Sequence, residues 1–310
     1  MSSSNITKGI YLAILTAFIS GFSNFVNKIA VASIKPPLVF TAEKNAFVGL
    51  LIIGVLIATW KWKKLKELKR REIMYLFLIG VIGGSLPFYL FFTGLSQIPA
   101  ITGAIIHKSL FIWVAILAIP FLKEKISKLQ ILAVLLIFAA NFIIGGLVPF
   151  KFSQGEMFVL AATLLWSVEN ILAKKILPGV DPDIVVAARM GIGSLILLGA
   201  SAIIAPQALS KGLLMTQTQW FWMGITVVLL FGYVMTWYRA LKFAPATIVA
   251  SVLVSATLIT NILSAIFITH AWTGIMGIQS ILTLLGVGIF FLVAKRQQPA
   301  QKIAKVVVKK

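Results

Sequence analysis

Long apolar runs and short polar breaks alternate along the chain as far as about residue 294. A helix needs about 20 largely apolar residues to cross the hydrocarbon core of a bilayer. Ten runs suit that requirement, over residues 9–32, 38–59, 73–95, 100–122, 129–148, 155–176, 184–205, 219–242, 245–268 and 274–294. The breaks have loop chemistry: Lys35-Pro36-Pro37, the basic run from Lys61 to Arg71, Gln97-Ile98-Pro99, Lys123-Glu124-Lys125, Pro149-Phe150-Lys151, Pro178 to Asp183, Pro206 to Thr218, Phe243-Ala244-Pro245, and His270 to Thr273. Almost nothing remains for an extramembrane domain, and the polar tail from Lys295 is too small for a core. The pattern predicts an all-α polytopic membrane protein with ten transmembrane helices. The opening MSSSNITKG leads straight into the first run, without the shorter core and small-residue cleavage site of a signal peptide, so that run reads as a retained span.

Composition narrows the function classes. The chain is 60% hydrophobic and only 12% charged, and its mean hydropathy is +1.02. A soluble domain of this size has no core large enough to hide that much apolar surface, which excludes a water-soluble enzyme. There are no cysteines, so thiolate nucleophiles, disulfides and cysteine metal sites are excluded. The two histidines, His107 and His270, are far apart in sequence. No metal site and no cofactor is expected from such a set.

The formal charge of +20, from 28 Lys+Arg against 8 Asp+Glu, would suggest nucleic acid in a soluble protein. Its distribution suggests a topology signal instead. One set of alternate loops, with both termini, holds 20 cations: Lys8, seven from Lys61 to Arg71, Lys123, Lys125, Lys128, Lys174, Lys175, Lys242 and six in the tail. The opposite set holds 3, Lys35, Lys151 and Lys211. The positive-inside rule then puts both termini in the cytoplasm, and nucleic acid is not an expected partner. The other 5, Lys28, Lys44, Lys108, Arg189 and Arg239, fall within spans.

A shift of 146 residues brings the two halves into register without a gap: Asn24 on Asn170, Lys28 on Lys174, Pro36 on Pro182, Pro99 on Pro245, Ser109 on Ser255. Residues 1–150 form a first five-helix repeat, 151–294 a second, and 295–310 a basic cytoplasmic tail. Five spans per repeat is an odd number, so the second half enters the membrane from the opposite side, as in the inverted repeats of many secondary transporters.

Several motifs recur in order. The first span of each half carries Asn and then Lys, in Ser23-Asn24-Phe25-Val26-Asn27-Lys28 and in Trp166-Ser167-Val168-Glu169-Asn170 running on to Lys174. The third span of each half ends in small residues, Thr93-Gly94-Leu95 through Pro99-Ala100 and Ala240-Leu241 through Pro245-Ala246. The fourth ends in Leu122-Lys123-Glu124-Lys125-Ile126-Ser127, while the second half has His270 at the Glu position. Over residues 9–294 the chain resembles the EamA family of the drug/metabolite transporter (DMT) superfamily, whose pattern there is Leu-x-Glu-x-x-Ser/Thr. The resemblance implies a ten-span inner-membrane carrier, typically an amino-acid or metabolite exporter, with spans 1, 3, 4, 6, 8 and 9 around a central cavity. Some members of the superfamily carry phosphorylated or nucleotide sugars instead.

Ionisable groups inside a bilayer are expensive and each needs a reason. Lys108, beside His107, would meet a substrate carboxylate or phosphate; the alternative is a lysine snorkelling to the interface, though eight residues into span 4 is about 12 Å deep. Glu169 would bind a substrate amine or carry a proton, or else pair with Lys28, Lys108 or Arg239. Trp166 stands one turn before Asn170, so one face of that helix offers an indole and an amide. Asn24 and Asn170 would touch substrate or bond across helices as polar glue. Tyr89, after Pro87, would line the cavity, and Pro87 frees a carbonyl and kinks span 3. Arg239 is a candidate contact as well as a plain positive-inside anchor, and Glu43-Lys44 and Arg189 read as structural pairs or snorkelling groups. Gly80, Gly83 and Gly84 allow close helix contact.

These readings predict a secondary carrier that moves a small metabolite, most directly an amino acid for export, by alternating access. The alternative substrate is a phosphorylated sugar, nucleotide sugar or other anion. No Gly-x-x-x-x-Gly-Lys-Ser/Thr occurs, so energy comes from a substrate gradient or a coupled ion or proton. Glu43, Glu169, His107 and His270 form no local catalytic set, which argues against an intramembrane lipid-modifying enzyme; a channel is the remaining rival. Membrane lipids and a small-molecule substrate are the expected partners, for a monomer or homodimer.

Overall fold

The computed structural model describes residues 3–33, 36–98, 100–145, 151–212 and 214–307. Lys35, Pro99 and the Pro149-Phe150 break lie outside the described residues, as do the side chains of Lys28 and of the tail from 294. The helices are α1 (Ser3–Ser33), α2 (Pro37–Ala58), α3 (Arg70–Gly84), α4 (Leu86–Leu95), α5 (Ala100–Lys108), α6 (Leu110–Leu122), α7 (Lys128–Gly145), α8 (Gln154–Ile176), α9 (Pro182–Ile204), α10 (Pro206–Gly212), α11 (Gln217–Phe243), α12 (Ala246–Leu253), α13 (Ala256–Ser264) and α14 (Gly274–Val307). A 3-10 segment, Lys61–Glu67, precedes α3, and a π turn, Ala265–Thr269, follows α13.

Helix starts follow from local chemistry. Ser153 and Glu156 cap α8 reciprocally, and Thr216 and Gln219 do the same for α11. Asp181 caps α9, with Pro182 at its first position. Among the described residues, nine spans are long and apolar enough to cross a membrane, and the apolar stretch of α7, Lys128–Ala140, is shorter. Helix α7 packs along α14, its counterpart in the second half, and completes the ten.

Three of the expected continuous spans are broken. Span 3 bends at Ser85, where Pro87 supplies no N–H to the carbonyl four residues back. Spans 4 and 9 break at Ser109 and Ser255, positions 146 residues apart. Each serine hydroxyl donates to the carbonyl three residues earlier, Ile106 and Val252, at 2.6 Å in both cases. Such back-bonding competes with the helix ladder. Neither break carries a proline or glycine.

Packing repeats across the halves. Helix α1 lies on α11 as α8 lies on α4 and α3; α6 lies on α8 as α12 and α13 lie on α1. Helices α2 and α9, second in each half, pack on each other, and the end of α2 meets the start of α9 through Lys61 and Asp181. Corresponding helices therefore run antiparallel, which is the inversion expected from five spans per repeat. Loops of the same parity gather at one end: Lys61 with Asp181, Glu124 with Ala246, Lys8 over Phe243. We call this the basic end. Large apolar side chains such as Leu50, Ile57, Phe77, Leu195, Val228 and Leu284 face outward, as a lipid-facing surface requires.

Candidate functional site

The carbonyl freed by Pro87 belongs to Gly83, and two side chains from other helices take it up. Trp166 Nε1 donates to it at 3.1 Å and Arg189 Nε at 3.3 Å. A side chain at Gly83 would have its Cβ 2.4 Å from Glu169 Cγ, so glycine is what lets α3 and α8 approach. The Glu169 carboxylate accepts from Tyr238 Oη at 2.5 Å, and the Arg189 guanidinium lies 5.9 Å from the Tyr238 ring centre. All four of these side chains are buried. Glu169 is thus engaged by Tyr238 with Arg189 nearby, whereas the sequence suggested Lys28, Lys108 or Arg239 as its partner.

Trp166 is also the centre of an aromatic cluster. Its ring meets Phe88 at 5.2 Å, Phe91 at 5.6 Å and His107 at 4.9 Å, and Phe91 meets His107 at 5.2 Å. Edge-on and tilted arrangements of this kind suit the ring quadrupoles. His107 Nδ1 is buried and has no hydrogen-bond partner among the described residues. Lys108 is the last residue of α5, directly before the Ser109 break, and its side chain is half-buried. Among the described residues no carboxylate lies within 4 Å of its ammonium. The end of α5 therefore carries a mid-span cation, Lys108, directly after the histidine that joins the aromatic cluster.

The other expected site residues are placed as follows. Asn170 Nδ2 donates within its own helix to the Trp166 carbonyl at 2.9 Å, and its Oδ1 is buried and unbonded. Asn24, its counterpart, is exposed, so the two do not share an environment. Tyr89 is half-buried on α4, but its neighbours Phe88 and Phe91 are the ones that reach Trp166. Arg239 Nη2 pairs with Asp183 at 2.6 Å and Nη1 donates to the Met235 carbonyl, the anchor reading. Glu43 and Lys44 do not pair with each other: Lys44 Nζ donates to Asn27 at 3.3 Å and sits 4.8 Å from the Phe40 ring centre. No group of three or more His, Asp or Glu able to hold a metal occurs among the described residues.

Two polar networks tie the basic end. Lys61 pairs with Asp181 and Asp183, Lys64 with Asp181 at 2.9 Å, and Asp183 with Arg239. Burial pushes the Asp181 carboxyl up, but Lys64, the Asp183 backbone N–H and Lys61 outweigh it and hold the group down at about 2. Their contribution to stability is present above the ordinary carboxylate range and is lost only as pH falls through about 2. In the second network Glu124 accepts from the Ala246 and Thr247 backbone N–H groups at 2.7 and 3.1 Å and from Thr247 Oγ1 at 2.8 Å. Lys174 Nζ donates to the carbonyls of Leu241 and Ala244. The end of α6 is thereby fixed to the start of α12, and the end of α8 to the end of α11. Glu124→Ala is expected to lower stability by about 2–3 kcal/mol, because hydrogen bonds to a charged group are strong and the N–H groups are left unpaired. Thermal unfolding of the purified protein measures it, and an unchanged melting temperature would refute it.

A two-repeat helical bundle with broken spans and polar groups at mid-depth defines a multi-pass membrane transporter. The EamA-like transporter family model matches residues 7–146 and 153–293, and the chain belongs to that family, within the DMT superfamily. A crystal structure described as "Crystal structure of protein" is similar to this fold, with a TM-score of 0.76 at 16% identity over 96% of this chain and 100% of that one. No curated protein matches the sequence.

Proposed function

We propose that the chain is a secondary carrier for a small carboxylate-bearing metabolite, an amino acid in the first place, and that it works by alternating access. The carrying observation is Lys108: a half-buried ammonium at a mid-span helix break, unpaired by any described carboxylate and next in the chain to His107, whose ring meets Phe91 and Trp166. A bound anion would supply the partner that no described carboxylate does, and in a low dielectric that contact is strong. The aromatic wall would hold the apolar part of the substrate. The matching breaks at Ser109 and Ser255 support a site between the halves, since discontinuous spans mark midplane sites in carriers.

A second observation favours a more highly charged anion. Lys44 is another buried cation with no carboxylate within 4 Å among the described residues. Two such cations suit a phosphorylated substrate. In this reading the basic end faces the cytoplasm of the plasma membrane, both termini lie there, and transport is driven by a substrate gradient or a coupled ion or proton. Glu169, held by Tyr238, is then the natural proton carrier, with Asn24, Asn170 and Tyr89 as secondary contacts.

The test is flux into proteoliposomes with a panel of amino acids competing against sugar phosphates. Saturable uptake accelerated by substrate on the far side is expected. Non-saturating flux would mean a channel, and no flux of any carboxylate or phosphate would sink the proposal.

A further inference from the structure

At the basic end an apolar groove of about 510 Å³ opens on the outward face between α2, α3 and α9. Its walls include Ile57 and Phe77, both more than half exposed, and its rim is the 3-10 segment and the residue after it, through Trp62, Leu65 and Leu68. A 3-10 helix has three residues per turn, so every third residue shares a face. The segment uses each of its faces differently. Trp62 and Leu65, followed by Leu68, line the groove. Lys61 and Lys64 turn to Asp181 and Asp183. The third face holds Lys63 and Lys66, both exposed.

The cations next to this groove are in excess. The side-chain cations of Lys63, Lys66, Lys69, Arg70 and Arg71 form no ion pair within 4 Å among the described residues, and Glu72 accepts from the Lys69 backbone N–H. Lys63 stands 4.7 Å from the ring centre of Trp60, and Arg71 Nη2 lies 3.4 Å from Tyr75 Oη. Exposed tryptophan, a row of cations and an apolar slot at the end of three spans form the arrangement of a bilayer interface. Glu67 is the one acid within the 3-10 segment itself.

We infer that this groove is a binding site for one anionic phospholipid. An acyl chain lies in the slot and the headgroup phosphate is met by Lys63, Lys66 and Arg70. A soluble phosphate has no use for a slot lined by Ile57, Leu65 and Phe77, and a zwitterionic lipid leaves the cationic face unmatched. Since Lys61 and Lys64 hold the start of α9, and Asp183 holds Arg239 of α11, a lipid on the other two faces of the segment steadies the same network.

The experiment is native mass spectrometry of the purified full chain, with phosphatidylglycerol and phosphatidylcholine of equal chain length. Phosphatidylglycerol is expected to be retained preferentially. A juxtamembrane cation near an anionic surface is worth about fivefold in affinity, so Lys63→Gln, Lys66→Gln and Arg70→Gln should each weaken retention by about that factor. Ile57→Trp, at an exposed position, narrows the slot and should weaken retention with every cation intact. Equal retention of both lipids, an undiminished preference in the combined lysine and arginine variant, or equal competition by glycerol 3-phosphate would overturn the site. None of these outcomes depends on transport, so they stand apart from the flux test.

Discussion

Gly84→Ala is expected to destabilise the bundle by about 3 kcal/mol, at the upper end of the usual cost of overpacking. The new Cβ would stand 2.1 Å from the Arg189 carbonyl oxygen and 2.9 Å from Gly193 Cα. Both obstacles are backbone, so no side chain can swing away, and α3 and α9 must separate. Separation also draws Arg189 off the Gly83 carbonyl. The reciprocal change, Gly193→Ala, meets Gly84 backbone atoms at 2.6 Å and should cost a similar amount. Gly54→Ala is the control: nothing lies within 4 Å of a Cβ there, and alanine is the better helix former by up to about 1 kcal/mol. Melting temperatures of the three purified variants decide the matter. A Gly84→Ala protein as stable as the Gly54→Ala protein would refute the crossing described here.

How much of this was legible beforehand depended on whether the cause was local. Span positions follow from hydropathy, and α2 begins at Pro37 and α9 at Pro182 as the loop prolines suggest. The inversion follows from counting five spans per half. Pro87 announced a freed carbonyl, and the structure adds only its identity, Gly83, and its takers, Trp166 and Arg189. By contrast the breaks at Ser109 and Ser255 carry no proline or glycine; the matched serines were visible, but not that their hydroxyls displace a helix bond. Partners from distant spans were not legible at all. Tyr238 reaches Glu169 across 69 positions, and helix geometry says that adjacent Glu43 and Lys44 do not face each other but not that Lys44 turns to Asn27. Phe88 and Phe91 looked like ordinary span residues, because an aromatic in an apolar run gives no sign of which helix it will face.

Lys108→Met should separate transport from stability, moving them in opposite directions. Methionine keeps the length and apolar stem of lysine and removes the charge. If the ammonium meets a substrate anion, losing a charge-assisted bond worth about 1.5–3 kcal/mol lowers apparent affinity by roughly tenfold to a hundredfold. The empty protein gains, because an unpaired cation within a span carries a desolvation cost that no described carboxylate offsets. The variant should therefore melt at or above the wild-type temperature while its uptake falls. Lys108→Arg retains the charge in a bulkier, planar head and should recover part of the uptake. A lysine that snorkels or braces the break at Ser109 predicts the reverse: Lys108→Met would melt lower and carry substrate with unchanged affinity. Measuring uptake and melting on one preparation distinguishes the two, since a merely misfolded variant loses both together and a substrate-binding cation loses only the first.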